Sequence, residues 1–420
     1  MSVISFFSGE YCREQSVVEA VHGTTGLSIV RDAELVADAA KLSGLGADKI
    51  EKAFEAKTSV FNTFTHEKQR AAAWLRLALA SRLAETTDLL VAGFCALLPP
   101  RSIPHVLRVC LIGDAAFRRG VAAEEAGLSE REAQRALEHA DENRAAWAEL
   151  VADAKDPWAP SLHDMLLPMD KTSVDAACDA ILKLLLDPAV RATEASRAAA
   201  RDFLLAARVE TVITGKGHDV AVSAAGGVVT LTINKKVLLL DRLENELRAI
   251  ATKVDGVSEV VTKVGKGFYQ SDIYRRADFK MPSKVLLVDD EREFVQTLSE
   301  RLSMREVGAY AVFDGASALD IMTDDAPEVM VLDLKMPGLD GIEVLKRTKL
   351  ARPDVEIIIL TGHGTEADRE RCMKLGAFAY LQKPVDIDLL SETLQKANEK
   401  VRRRKEGGKE HGNASGDREA

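Results

Sequence analysis

The strongest constraint on the fold is an apolar run that stops on an aspartate. Val329–Leu332 is followed directly by Asp333, and a Pro337-Gly338 turn comes soon after. A short apolar run bounded by turn residues is typical of a strand buried on both faces. Open α/β sheets hold their sites at the carboxyl ends of the strands, so we expect Asp333 to lie at such a site.

Three further apolar runs also end on polar residues. They are Lys284–Val288 before Asp289 and Asp290, Val355–Leu360 before Thr361, and Ala379–Gln382 before Lys383. Segments with helical periodicity separate these runs, and this alternation predicts βαβ units around a parallel sheet. Right-handed crossovers would bring all the strand ends to one edge.

That edge would collect three carboxylates, a hydroxyl and an ammonium group. Asp289, Asp290 and Asp333 would repel one another unless a cation joins them. Mg²⁺ is a small hard cation that takes oxygen ligands and also accepts phosphate oxygens. A carboxylate can act as a nucleophile towards phosphorus, and a lysine can balance the charge of the transferred group. The pattern therefore indicates phosphoryl chemistry at Asp333.

Residues 283–400 resemble the receiver domains of two-component response regulators. The resemblance rests on the paired acids, the Met-Pro-Gly-x-Asp-Gly turn after Asp333, and the order of Thr361, Tyr380 and Lys383-Pro384. It implies a flavodoxin-like, doubly wound (βα)5 domain. Asp333 would take a phosphoryl group from a sensor histidine kinase or a phosphotransfer protein and become an aspartyl phosphate.

The same resemblance implies a role for each remaining site residue. Mg²⁺ would be held by Asp290, Asp333 and the backbone carbonyl of Lys335, with Asp289 acting largely through water. Lys383 would contact the phosphoryl oxygens, and its bond to Pro384 is a candidate cis peptide. Thr361 and Tyr380 would form the switch pair.

Each of these residues taken singly has a simpler explanation. Asp290 could be a helix N-cap, Tyr380 a core aromatic and Lys383 a solvated surface cation. Their joint occurrence at strand ends is what favours the receiver interpretation.

Length and composition restrict the class of protein. At 420 residues the chain is long enough for two to four domains. The net charge of -10 does not favour a general nucleic-acid binder. The five cysteines show no metal-ligand spacing, and we expect them to be reduced. No apolar run approaches a membrane span and no signal peptide is evident, so we expect a cytoplasmic protein.

Residues 1–190 begin with a strand, a loop and a helix. Val3–Phe7 is followed by a loop containing Gly9 and Arg13, an order that resembles a phosphate-binding loop. The loop has one glycine and lacks Gly-Lys-Ser/Thr, so the motif is incomplete. Leu89–Ala92 and His105–Ile112 are predicted as further buried strands.

This region resembles the cytidylate-kinase-like branch of the nucleoside monophosphate kinases, a P-loop-kinase-like α/β fold. The match includes Asp32, the Leu-Ser-Glu-x-Glu-Ala stretch from Leu128, and Asp141-x-x-Arg144. The resemblance implies phosphate or nucleotide contacts, and the candidate residues here are Gly9, Arg13, Arg118, Arg119 and Arg144.

Departures from the family pattern predict a fold retained without phosphotransfer. Glu10 would repel a phosphate, and Phe94 stands where the family has an arginine. Each lost charge-assisted contact removes about 1.5–3 kcal/mol. The alternative to a pure signalling protein is a nucleoside monophosphate (cytidylate-like) kinase regulated by its receiver. The alternative for Arg118, Arg119 and Arg144 is that they are solvated helix charges or surface ion-pair residues.

The middle region, 192–267, is predicted to be a small α+β domain. A helix from Ala195 to Ala207 precedes strands on either side of Gly226-Gly227, which suggest a hairpin. A helix across 238–254 and a closing strand up to Val264 follow. The order resembles a BON domain, a small module that binds partners or lipid surfaces. A simple packing or spacer domain is the alternative.

The remaining segments are predicted to lack a fold of their own. Residues 268–282 are interpreted as a linker and 401–420 as a disordered tail. The basic run from Arg402 could contact nucleic acid or end a helix. We expect no DNA-binding domain, since no helix-turn-helix pattern follows the receiver. Output would instead pass to an unknown protein partner through contacts of the N-terminal domains.

Overall fold

The structure is a computed structural model that describes residues 3–57, 66–86, 88–235, 237, 240–269, 284–303, 305, 307–324, 326–362 and 364–412. These residues form two compact units, the first made by most residues up to 269 and the second by most residues from 284 onward. None of the described helices combines the length and the apolar character that crossing a bilayer requires.

The first unit is built on a five-stranded parallel sheet. Its strands are β1 (Val3–Ser8), β2 (Ser28–Arg31), β3 (Leu89–Ala92), β4 (Val106–Ile112) and β5 (Met165–Pro168), in the order β2-β3-β1-β4-β5. Its helices are α1 (Glu14–Thr25), α2 (Asp32–Ser43), α3 (Ala47–Glu51), α4 (Glu67–Glu85), α5 (Ala115–Ala126), α6 (Glu130–Ala152) and α7 (Val174–Leu185). The predicted strands at 3–7, 89–92 and 105–112 are confirmed. Every residue of β1 and β3 is buried, as expected of strands covered on both faces.

The same unit contains a second, three-stranded sheet. Helix α8 (Glu194–Gly215) leads into the antiparallel pair β6 (Ala221–Ala225) and β7 (Val228–Ile233), and β8 (Glu259–Val264) pairs parallel with β7 after α9 (Leu240–Ala251). The predicted hairpin is confirmed. Gly226 and Gly227 both have positive φ angles, which the tight turn requires.

Helix α8 corrects two of the sequence predictions. It continues to Gly215, beyond the predicted end at Ala207. Its residues Phe203 and Ala207 pack into the core of the five-stranded sheet, while Val209 and Ile213 pack into the core of the three-stranded sheet. The boundary predicted at 190–192 therefore does not separate two compact units, because one helix supplies apolar side chains to both cores.

The second unit is a doubly wound α/β fold, as predicted. Its strands are β9 (Val285–Val288), β10 (Ala309–Val312), β11 (Val329–Leu332), β12 (Glu356–Thr361) and β13 (Ala379–Gln382), all parallel in the order β10-β9-β11-β12-β13. Its helices are α10 (Arg292–Ser303), α11 (Gly315–Asp324), α12 (Gly341–Ala351), α13 (Glu366–Lys374) and α14 (Ile387–Gly412). Separate apolar clusters cover the two faces of the sheet. This strand order is that of the flavodoxin-like folds.

The end of the chain also differs from the prediction. The prediction that residues 401–420 are disordered is wrong for 401–412, because α14 continues to Gly412. Val401 is buried, and Lys400 and Arg404 both pair with the fully buried Glu356 at the start of β12. These contacts hold the last helix to the sheet. Residues 413–420 and most of the predicted linker, 270–282, lie outside the described residues.

Candidate functional site

An acidic cluster forms at the carboxyl edge of the second unit. Val288 and Leu332 are register partners in β9 and β11, so the residues that follow them emerge side by side. Carboxylate oxygens of Asp289, Asp290 and Asp333 lie within 4.8 Å of one another. The predicted convergence of these three acids is therefore observed.

The charge of this cluster is only partly compensated. Asp289 and Asp333 are each 5% exposed, and Oδ1 of Asp333 is buried and has no hydrogen-bond partner among the residues that the structure describes. Burial raises the pKa of Asp289, an effect that its bond to Lys383 opposes. An unsatisfied buried carboxylate oxygen is costly, and three oxygen donors at this spacing fit a hard divalent cation.

Lys383 lies beside the acidic cluster, as predicted. Its Nζ is 2.6 Å from Oδ2 of Asp289 and 2.8 Å from Oε1 of Glu291, and it lies 4.2 Å from the centroid of the Phe294 ring. Burial disfavours the ammonium charge, but the hydrogen bonds to Asp289 and Glu291 outweigh it and raise the pKa of Lys383. Sequence reasoning missed Glu291, although it directly follows the acid pair.

The two residues of the predicted switch pair lie on neighbouring strands. Thr361 ends β12 and is fully buried, while Tyr380 lies within β13. The Tyr380 hydroxyl oxygen is buried and has no hydrogen-bond partner in the described part of the chain, and it would be 1.7 Å from a Cβ placed on Gly364. The Lys383-Pro384 peptide bond is cis, as predicted.

The loop after Asp333 is packed tightly against the next helix. Asp340 caps α12 by accepting a hydrogen bond from the backbone N–H of Ile342. A Cβ on Gly341 would lie 2.1 Å from the backbone oxygen of Asp333, so only glycine fits there. Lys335 belongs to this loop, and metal coordination through its carbonyl stays a prediction.

The predicted phosphate loop of the first unit has a different character. Arg118 donates to the Glu10 carbonyl at 2.9 Å and forms two bonds to Asp141, at 2.8 and 2.7 Å. Arg144 donates to the Ser8 carbonyl at 2.5 Å and to Oε2 of Glu10 at 2.7 Å. Both arginines are 8% exposed. Their guanidinium groups therefore already bind the loop and its neighbouring carboxylates.

The other candidate residues of this loop are also held by protein contacts. Arg13, itself at a positive φ, pairs with Glu124, and Arg119 donates to Gln134 at 3.2 Å. A Cβ on Gly9 would lie 3.0 Å from Cys12 Sγ and 3.5 Å from the Arg118 side chain, which fill the space beside it. The structure brings Gly9, Arg118 and Arg144 together, but Arg13 and Arg119 have separate acidic or amide partners.

Comparisons with known proteins match both units. The response regulator receiver domain model matches residues 285–395, and the cytidylate kinase-like family model matches residues 3–171. A receiver domain from Clostridium thermocellum is a similar solved structure, with 34% identity, coverage of 29% of this chain and 96% of that chain, and a TM-score of 0.27.

Two curated relatives match the second unit. Sporulation initiation phosphotransferase F of Bacillus subtilis is 35% identical over 116 residues, which cover 28% of this chain and 94% of the relative. Response regulator MprA of Mycolicibacterium vanbaalenii is 36% identical over 110 residues, which cover 26% of this chain and 48% of MprA. The chain thus spans about half the length of MprA. Through its second unit, the chain belongs to the response regulator receiver family.

Proposed function

We propose that the chain is a two-component phosphoacceptor loaded on Asp333. The observation that carries the proposal is the convergence of three carboxylates, one of which, Asp333, has a buried oxygen without a hydrogen-bond partner among the described residues. The donor would be the phosphohistidine of a sensor kinase or phosphotransfer protein. The curated relative from Bacillus subtilis, a phosphotransferase by name, is consistent with this role.

The reaction needs few groups from the protein. A carboxylate oxygen of Asp333 attacks phosphorus, the phosphorus–nitrogen bond of the phosphohistidine breaks, and its electron pair leaves with the imidazole. Lys383 is close enough to Asp289 to be drawn to the new phosphoryl oxygens, where its charge stabilises the product. Before transfer, Asp289 and Glu291 hold that ammonium beside the acidic cluster.

The residues present fit Mg²⁺. Asp290 and Asp333 would hold the ion directly, with the Lys335 carbonyl as a further ligand and Asp289 acting through water. When bound, the ion would supply positive charge to the transferring phosphoryl group. The all-oxygen donor set and the unsatisfied Asp333 oxygen support this assignment.

The output would travel through Thr361 and Tyr380. A phosphoryl group adds about -1.5 to -2 charge, and Thr361 is the hydroxyl residue at the end of the strand beside Asp333. Movement of Thr361 would change the space beside the Tyr380 ring and so alter the surface around β13. We infer that this surface then changes its contacts with a protein partner.

Loading with a small phosphodonor tests the proposal. The full chain is incubated with acetyl phosphate and Mg²⁺, and the adduct is located by mass spectrometry. We expect one acid-labile adduct that is lost in Asp333→Ala and kept in Asp320→Ala, which removes an exposed aspartate from α11 of the same domain. An adduct that survives Asp333→Ala would overturn the proposal.

We also propose that the first unit does not transfer phosphoryl groups. Arg118 and Arg144, the cations that a nucleotide phosphate would need, are buried and bonded to Ser8, Glu10 and Asp141. A phosphate would have to displace these bonds, each of which involves at least one charged group and is worth about 1.5–3 kcal/mol. The retained fold would serve protein contacts instead.

Calorimetric titration of the full chain with ATP and with CMP separates this proposal from the regulated kinase. We expect no heat of binding at millimolar nucleotide. Binding of either nucleotide, followed by formation of a diphosphate product, would establish the receiver-regulated nucleoside monophosphate kinase in its place.

The three-stranded sheet supports a further proposal. Helix, two strands, helix and strand follow in the order of a BON domain, and the sheet packs its apolar face on α8 and α9. We infer a partner-binding module without catalytic residues. Crosslinking of the phosphorylated chain in cell extract should give adducts on the first unit, including this three-stranded sheet. Adducts confined to the receiver would contradict the inference.

A further inference from the structure

We propose that Glu291 is a positioning residue that holds Lys383 away from the phosphoacceptor and so slows the loading of Asp333. The inference rests on the proposed phosphoacceptor function and extends it to a residue outside the acidic cluster. It concerns the resting position of one ammonium group.

Lys383 is held by two carboxylates of different exposure. Its Nζ lies 2.6 Å from Asp289, whose side chain is 6% exposed, and 2.8 Å from Glu291, whose side chain is 64% exposed. The Phe294 ring lies 4.2 Å from the same nitrogen. The ammonium group is therefore fixed in place by two carboxylates, two residues apart in the sequence, and by an aromatic face.

The resting ammonium does not reach the phosphoacceptor. Within the described part of the chain, Lys383 has no ion pair to Asp333 within 4.0 Å, although it pairs with Asp289 and Glu291. To contact a phosphoryl group on Asp333, Nζ has to shift towards that residue. Asp289 belongs to the same cluster as Asp333, whereas Glu291 does not, so we expect the shift to loosen the contact with Glu291 and to keep the one with Asp289.

The size of the effect follows from the exposure of Glu291. Ion pairs with one exposed partner are worth about 0–1 kcal/mol, which corresponds to at most about a fivefold change in rate. We expect Glu291→Gln to load Asp333 about threefold faster than the wild type, because a neutral amide holds the ammonium less strongly.

The experiment compares initial rates of loading by acetyl phosphate at saturating Mg²⁺. Glu293→Gln is the matched control, since it removes the same charge two residues away at an exposed position of α10 with no ion pair to Lys383 among the described residues. Any general reduction of repulsion towards the anionic donor affects both variants. The ratio of the loading rate of Glu291→Gln to that of Glu293→Gln therefore reports the contact between Glu291 and Lys383.

A double-mutant cycle shows whether Glu291 acts through Lys383. Lys383→Met keeps the aliphatic stem beside Phe294 and removes the ammonium. In that background, with time courses long enough for a slow variant, Glu291→Gln should no longer change the rate. The Mg²⁺ concentration that gives half-maximal rate should stay the same in Glu291→Gln.

The outcomes are distinguishable. Absence of any adduct on the wild-type chain overturns the proposed function together with this inference. If the wild type is loaded on Asp333 but Glu291→Gln matches Glu293→Gln, the phosphoacceptor stands and the role of Glu291 is refuted. The same refutation follows if the effect of Glu291→Gln persists in the Lys383→Met background.

Discussion

The acidic edge of the receiver and the loop of the first unit both lie where parallel strands end. The two sites differ in how far their charged side chains are paired within the protein. In the receiver, three carboxylates crowd together, and one buried oxygen of Asp333 has no hydrogen-bond partner within the described ranges. In the first unit, Arg118 and Arg144 are buried but have carboxylate and carbonyl partners from the protein itself.

The difference distinguishes a site that needs a ligand from one that does not. An unpaired buried polar atom costs about 1–3 kcal/mol, so a cation that coordinates the Asp333 oxygen binds more tightly by removing that cost. A paired guanidinium offers no such gain, because an incoming phosphate must first displace Glu10 or Asp141. Retention of a fold therefore says less about ligand binding than the partners of its charged side chains do.

The largest effect is expected from placing a side chain against the loop that follows Asp333. Gly341→Ala places a Cβ 2.1 Å from the backbone oxygen of Asp333, so the loop must move. We expect a loss of about 3 kcal/mol in the free energy of unfolding of the receiver and strongly reduced loading. Urea unfolding measures the free energy of unfolding, and loading with acetyl phosphate measures the second effect. Gly362→Ala is the control, since its Cβ would have no neighbour closer than 3.9 Å.

Mg²⁺ should stabilise one unit and not the other. At a concentration one hundred times its dissociation constant, a bound ion stabilises the folded state by about 2.7 kcal/mol. We expect Mg²⁺ to slow hydrogen exchange in peptides that contain β9 and β11, and to leave peptides that contain β1 unchanged. Slower exchange around β1 in the presence of Mg²⁺ would contradict the expected difference between the two units. Asp290→Asn should abolish the effect of Mg²⁺ on the receiver.

A smaller effect is expected from removing the partner of an arginine. Asp141→Asn weakens two bonds to the buried Arg118, and we expect the first unit to lose about 1–2 kcal/mol in its free energy of unfolding. Phosphate should then stabilise the variant and not the wild type in thermal unfolding. Glu130→Gln, whose side chain is 88% exposed and 3.9 Å from Arg119, should have no measurable effect.

The smallest effect is expected at Tyr380. Its hydroxyl oxygen is buried and makes no hydrogen bond to any described residue, so Tyr380→Phe removes a desolvated polar atom without breaking a described hydrogen bond. We expect the free energy of unfolding of the unphosphorylated receiver to stay the same or rise by up to about 1 kcal/mol. A loss of stability in urea unfolding would show that the hydroxyl has a partner in solution.

Much of the receiver could be predicted because its sequence signals are local. Each of the four apolar runs becomes a strand and is followed by its polar residue, so topology alone brings Asp289 beside both Asp333 and Lys383. The partner of Lys383 could not be assigned in this way. Glu291 is the first residue after the acid pair, and only the path of the chain into α10 directs its side chain towards β13.

The first unit was harder to predict because its decisive contacts join distant residues. Glu10 suggested repulsion of phosphate, but its pairing with Arg144 spans 134 residues of sequence. The basic run after Lys400 likewise suggested the end of a helix or a nucleic-acid contact. The structure instead pairs Arg404 with Glu356, a fully buried acid whose partners no local pattern identifies.

Helix α8 gives the first unit a rotational constraint. Phe203 and Ala207 are committed to one core and Val209 and Ile213 to the other, along a single uninterrupted helix. One inserted residue between the two sets would turn one set by about 100° relative to the other. The helix therefore fixes the rotation of one sheet relative to the other. Insertions or deletions within this helix should be far less tolerated than changes in the loops at its ends.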